Sequence, residues 1–172
     1  MRNLELKVPL PALSAARERA RMLGAEPAGV QEQTDAYFDV PHGRLKLRRI
    51  AGQREATLIA YRRPDEAASR YSDYLLAPAA EPDALGEVLV RALGVLVVVR
   101  KRRELWRFGA TRIHLDEVEG LGSFVELETV LGGQPVEAAE AEHRLVRDRL
   151  GLADLLPIPG SYGDLLLALR ER

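Results

Sequence analysis

Apolar and polar residues alternate with a period of two along most of this chain, the pattern of strands that bury one face. The alternation predicts strands at 2–9, 33–39, 43–50, 54–63, 70–77, 96–106, 110–117 and 122–130. Val40-Pro41-His42-Gly43 is a turn signal, and Ala51-Gly52-Gln53 and Phe108-Gly109-Ala110 read as hairpin connections. Connections this short imply antiparallel neighbours. Four segments change to helical spacing. Pro11–Leu23 opens with Pro in its first turn and stops at Gly24. Pro82–Leu93 gathers Leu85, Val88, Leu89 and Leu93 on one face and ends at Gly94. Val136–Leu150 repeats Val136, Ala139, His143, Val146 and Leu150 at spacings of three and four. Ser161–Leu169 follows a Pro/Gly-rich turn, with Ser161 placed to cap it. The expectation is an α+β domain, and eight antiparallel strands suffice to close a barrel with flanking helices.

Composition narrows the chemistry. The 172 residues include no cysteine, which excludes disulfide scaffolds, thiolate zinc sites and cysteine nucleophiles. Three widely spaced histidines form no zinc-protease pattern. The apolar run Val95–Val99 is too short to span a membrane, and Glu5 and Lys7 interrupt the segment a signal peptide would need. A cytoplasmic protein that does not bind membranes is expected. The net charge of -1 argues against a general nucleic-acid surface.

The placement of those charges says more than their total. By strand parity, Asn3, Glu5 and Lys7 share a face opposite Leu4, Leu6 and Val8. Arg44, Lys46 and Arg48 share a face, Arg62 falls with Leu58 and Ala60, and Lys101 and Arg103 continue the face of Val97 and Val99. Arg112, His114 and Asp116 lie together, as do Glu126 and Glu128. One such strand is an ordinary wet face. Basic doublets on two strands and a carboxylate doublet on a third are different, because like charges two residues apart repel and suit a bound counter-ion. A barrel closed with these faces inward has a lumen for polyphosphate on its cations and a divalent metal on its carboxylates. The apolar faces then point outward, under the helices.

That ordered set resembles the CYTH superfamily, the triphosphate tunnel enzymes, over nearly the whole chain. Asn3-Leu-Glu5-Leu-Lys7 is similar to the family's ExExK signature. Asp35-Ala-Tyr37-Phe38-Asp39 resembles the strand before its glycine turn, and Leu45-Lys46-Leu47-Arg48 its first basic strand. Leu58 to Pro64 resembles the segment supplying a further tunnel cation, and Lys101-Arg102-Arg103 its KxR strand. Ile113–Asp116 and Gly120–Glu128 resemble the late acidic strands. Ser161-Tyr162-Gly-Asp164-Leu-Leu resembles the SYxxLL of class IV adenylate cyclases and their bacterial relatives. One departure stands out: Asn3 replaces the signature's first glutamate, and an uncharged amide weakens one metal site.

The resemblance implies one CYTH-like domain over 1–172 forming a triphosphate tunnel. It implies phosphate binding by Lys7, Lys46, Arg48, Arg62, Lys101 and Arg103, with Arg63 the alternative to Arg62 after a one-residue shift of register. Glu5, Glu126 and Glu128, with Asn3, are the expected ligands of Mg²⁺ or Mn²⁺, and Lys101, Arg103 and Asp116 the catalytic set. Trp106, Tyr162 and His114 are expected in structural roles, and Arg102 and Glu104 on the outer face. Three functions compete: a class IV-like cyclase turning ATP into cyclic AMP and pyrophosphate; a hydrolase of tripolyphosphate, thiamine triphosphate or a nucleoside triphosphate; and a polyphosphate- or nucleotide-binding relative with little turnover. The expected partner is a small triphosphate molecule, and the outward apolar faces leave room for a homodimer through the barrel wall.

Overall fold

The computed structural model of the chain describes residues 1–63 and 68–171. Eight strands close into one antiparallel barrel in the order β1-β5-β4-β3-β2-β6-β7-β8. They are β1 (Arg2–Pro9), β2 (Glu26–Phe38), β3 (Arg44–Ile50), β4 (Ala56–Arg62), β5 (Arg70–Ala79), β6 (Val95–Phe108), β7 (Thr111–Val118) and β8 (Gly122–Leu131). The four helices are α1 (Leu13–Leu23), α2 (Pro82–Leu93), α3 (Val136–Arg149) and α4 (Tyr162–Arg170). None of the described helices is long and apolar enough to cross a membrane.

The α+β class and the closed barrel match the periodicity. The largest difference is β2, which begins at Glu26 rather than at 33. Pro27 and Gly29 are poor strand formers, but a register shift between them lets the strand run on against β6 from Glu26↔Arg107 to Phe38↔Val95. A bulge is where a strand tolerates Pro, and Gly29 takes the positive φ of 109° that the bend requires.

Apolar outer positions put the charged faces inside. Leu6 and Val8 of β1 join Ile113, Leu115, Val125 and Leu127 beneath α1 and α3. Fully burying each such side chain contributes about 1.5–3 kcal/mol. Phe38, Leu47 and Ala56 form a second outer cluster against α2. The third cluster lies across one barrel end, where Tyr162 of α4 packs on Tyr37, Val97, Val99, Val118 and Phe124. A capping box starts α4: Ser161 Oγ accepts from the Asp164 amide (3.1 Å) and Asp164 accepts from the Ser161 amide (2.7 Å). Arg44 at the start of β3 holds the same carboxylate at 2.9 Å, tying α4 to the barrel end that it covers.

Candidate functional site

The lumen is a cavity of about 240 Å³ lined by charge from nearly every strand. Strand register sets the neighbours, since residues paired across a ladder lie side by side on one face. Lys7 is opposite Glu126, which is opposite His114. Glu5 is opposite Glu128, which is opposite Arg112. Arg103 is opposite Asp116, and Asp35 is opposite Arg48.

Two carboxylates organise the cations. Asp35, 1% exposed, accepts from Arg48 Nε (2.8 Å) and Nη2 (2.7 Å) and from Lys46 Nζ (3.0 Å), with Lys101 Nζ at 3.9 Å. Burial alone would raise its pKa, but Arg48 and Lys46 hold it well below the usual carboxylate range. Asp116 accepts both Nε (2.7 Å) and Nη2 (2.6 Å) of Arg103 and the Tyr162 hydroxyl (2.8 Å). Against the cost of burial, Arg103 and then Lys101 bring Asp116 down to about 2. Lys101 carries the opposite strain. Burial, followed by repulsion from Arg103, pulls its pKa from 10.5 to about 7. Lys7 lies over the Tyr162 ring at 3.9 Å and 3.2 Å from Glu126, and burial lowers its pKa despite that carboxylate.

On the acidic side, Glu126 also accepts from Arg103 Nη2 at 2.6 Å and faces His114 Nδ1 at 3.3 Å. Glu128 pairs with Arg112 at 2.7 Å and Glu5 with Arg63 at 2.8 Å. Burial, then Glu128 and Glu126, raise the pKa of Glu5. Burial is the larger cause, and the two neighbouring carboxylates add to it. His114, Glu126 and Glu128 offer ligand atoms within 4.8 Å of one another. This oxygen-rich set with one imidazole fits a divalent cation such as Mg²⁺ or Mn²⁺. Asn3 is buried beside it. Oriented to satisfy its neighbours, its amide accepts from Arg112 Nη2 (3.1 Å) and donates to the Arg2 carbonyl (3.1 Å) and the Tyr74 hydroxyl (3.2 Å).

Of the residues named from sequence, Asn3, Glu5, Lys7, Lys46, Arg48, Lys101, Arg103, Glu126 and Glu128 line this one cavity, with Asp116 bound to Arg103 behind them. Arg62 does not. It is exposed, and Arg63 enters the lumen in its place because Ile59 and Tyr61, not Leu58 and Ala60, form the inner face of β4. Leu58 instead packs outward, toward α2. Pro64, quoted in the same segment, lies outside the described residues. Tyr162 does pack, but its hydroxyl and ring also touch Asp116, Lys7 and Lys101. Trp106 is buried in the outer cluster, and Glu104 pairs outside with Arg17 at 2.8 Å. Asp35 and Arg112 complete the site and carry no role in the sequence reading. Parity already sets Arg112 on the face of His114 and Asp116, and extending it through β2 would have found Asp35.

A family model described as CYTH domain matches residues 1–154. No curated protein matches the sequence significantly. Among solved structures, the PH1012 protein of Pyrococcus horikoshii is 25% identical, with a TM-score of 0.83 over 95% of this chain and 98% of its own. A candidate adenylate cyclase from Vibrio parahaemolyticus is 20% identical, with a TM-score of 0.77 over 95% of this chain and 97% of its own. HpAC1 of Hippeastrum, described as a candidate adenylyl cyclase with a dominant triphosphatase activity, is 17% identical. Its TM-score is 0.66 over 98% of this chain and 95% of its own.

Proposed function

The chain belongs to the CYTH family, and from that membership and the charged lumen we propose a divalent-metal-dependent enzyme that converts ATP to cyclic AMP and pyrophosphate by class IV-like cyclase chemistry. The observation that carries the triphosphate is Arg63. Its Nη1 holds Glu5, while its Nε and Nη2 are buried with no partner among the described residues. A buried donor left unmade costs about 1–3 kcal/mol, and guanidinium more, so this edge awaits an anion with several acceptor oxygens.

In this reading Arg63, Lys7, Lys46, Arg48, Lys101 and Arg103 share the phosphate oxygens. Arg and Lys preset around the lumen by their ion pairs stabilise the charge that builds on departing pyrophosphate. Asp116 acts through Arg103, fixing its guanidinium plane from both nitrogens, and is a positioning residue. Glu5, Glu126 and Glu128, with His114, would hold Mg²⁺ or Mn²⁺, while Asn3 is committed to Arg112. A bound divalent cation supplies charge neutralisation and a lowered pKa for the attacking oxygen. The 3′-oxygen of the ribose bonds to the α-phosphorus, the bond from that phosphorus to the bridging oxygen of pyrophosphate breaks, and the hydroxyl proton is released. We take 1–172 as one working unit, because α4, beyond the family match, closes one end of the lumen.

The second reading is hydrolysis at the terminal phosphorus, favoured by the description of HpAC1 as dominantly a triphosphatase. Incubating the protein with Mg²⁺ or Mn²⁺ and, separately, ATP, thiamine triphosphate and tripolyphosphate tests both. Cyclic AMP with pyrophosphate is the expected product. Orthophosphate from any of the three substrates, without cyclic AMP, would replace the cyclase with the hydrolase. Binding without product would reduce the protein to a binding relative.

A further inference from the structure

The two ends of the lumen differ. At the end where β1 finishes and β6 begins, Tyr162, Phe124, Val97 and Val99 fill the bore, and the backbone of Ile158 donates to the Lys7 carbonyl at 2.8 Å. The other end is ringed by inward-facing Leu76, Leu105, Ile59 and Tyr74, and Leu76 is 47% exposed there. Phosphate oxygens gain nothing from such a rim, whereas an uncharged group attached to them buries apolar surface on it.

A second, independent feature lies between the rim and the cations. Gln33 is opposite Lys101 on β6 and Ile50 on β3, two residues mouthward of Asp35. It is 4% exposed. Its Nε2 donates to Gln31 Oε1 at 2.6 Å, but its Oε1 is buried with no partner among the described residues. An amide oxygen needs a donor, and ionised phosphate has none to give. The missing partner is an O–H or N–H on whatever is joined to the phosphate chain.

Resting on the triphosphate reading above, we propose that Gln33 and the Ile59–Leu76–Leu105 rim form the subsite for the organic part of the substrate. A nucleoside triphosphate enters terminal phosphate first, donates a sugar hydroxyl to Gln33 Oε1 and leaves its uncharged portion on the rim. Inorganic tripolyphosphate fills only the cationic half. The site thereby selects organic over inorganic triphosphates.

Isothermal titration in Mg²⁺ with α,β-methylene-ATP and with tripolyphosphate tests this on the full chain. The nucleotide analogue should bind at least tenfold more tightly. Gln33→Leu should weaken the analogue about tenfold, as expected for a lost hydrogen bond of about 1.4 kcal/mol, and shift tripolyphosphate by less than twofold. Leu76→Asp, at a half-exposed position that spares the fold, should weaken the analogue alone. Equal effects on both ligands, or none on the analogue, would overturn the subsite while tripolyphosphate binding still upheld the triphosphate reading. Binding of neither ligand would remove that reading and the subsite with it.

Discussion

Lys101 sits inside the barrel between Arg103 on its own strand and Asp35 on β2, with the Tyr162 ring 5.0 Å from its ammonium. Loss of water, followed by repulsion from Arg103, leaves its pKa at about 7 although Asp116 and Asp35 pull the other way. Between that value and the ordinary 10.5, the unfolded chain carries a proton that the folded one lacks, so this group makes the fold more stable as pH rises through the window. An arriving polyanion reverses the balance by favouring the charged form. Tripolyphosphate binding at pH 8 should therefore take up close to one proton, read from titrations in buffers of different ionisation enthalpy. Lys101→Met should abolish most of that uptake, and an unchanged uptake would remove Lys101 from the site. Most charged residues of this lumen, Asp35 and Arg63 apart, were legible in the sequence one at a time. Their pKa values were not, because desolvation depends on which other side chains close over each group.

At the scale of elements, β4 shows how one residue of register decides a role. Its inner face runs through Ile59 and Tyr61 to Arg63, and its outer face through Leu58 and Ala60 to Arg62. Both faces are largely apolar, so alternation alone gave no preference, and only the packing of Leu58 toward α2 resolves it. Arg63→Ala should weaken tripolyphosphate at least tenfold, since it removes a buried charged donor, whereas Arg62→Ala should change it less than twofold. The reverse order would restore the register read from sequence. Helix α3 makes a different connection. Buried His143 shares hydrogen bonds with Ser69 (3.1 Å), ahead of β5, and with Thr129 (2.9 Å) of β8. Burial, with Arg147 and Arg144 adding, lowers its pKa from 6.5 to about 4. As pH falls below 6.5 the unfolded chain takes up a proton that the folded chain refuses, so stability is lost. The loss should reach about 2 kcal/mol by pH 5 in urea unfolding. His143→Gln, which cannot titrate, should lack that part of the decline; an identical decline would show that His143 is not its source.

The molecule as a whole is a barrel stoppered at one end. Its charged interior is held open by ion pairs, and helix α4 with Tyr162 shuts the end nearest Lys7. Tyr162→Phe removes one hydrogen bond to a carboxylate and should cost about 1.5–3 kcal/mol. Tyr162→Ala also empties the stopper and should cost about 3–5 kcal/mol, measured by calorimetric unfolding. Equal losses in the two variants would mean that the ring does not fill the end.

Alternation and turn chemistry are local properties, and by themselves they determined eight strands, four helices and the opposition of charged and apolar faces on β1, β3, β7 and β8. Because side chains alternate along a regular strand, the apolar faces of these four could only seek the helices, and the charged faces were left to the lumen. Tertiary structure alone decided what depends on closure. It carried β2 through a bulge past Pro27, turned Arg63 inward, set Asp35 among three cations and left Gln33 one acceptor short. These are relations between residues far apart in the chain, fixed by shear and burial in the closed barrel, which no local pattern encodes.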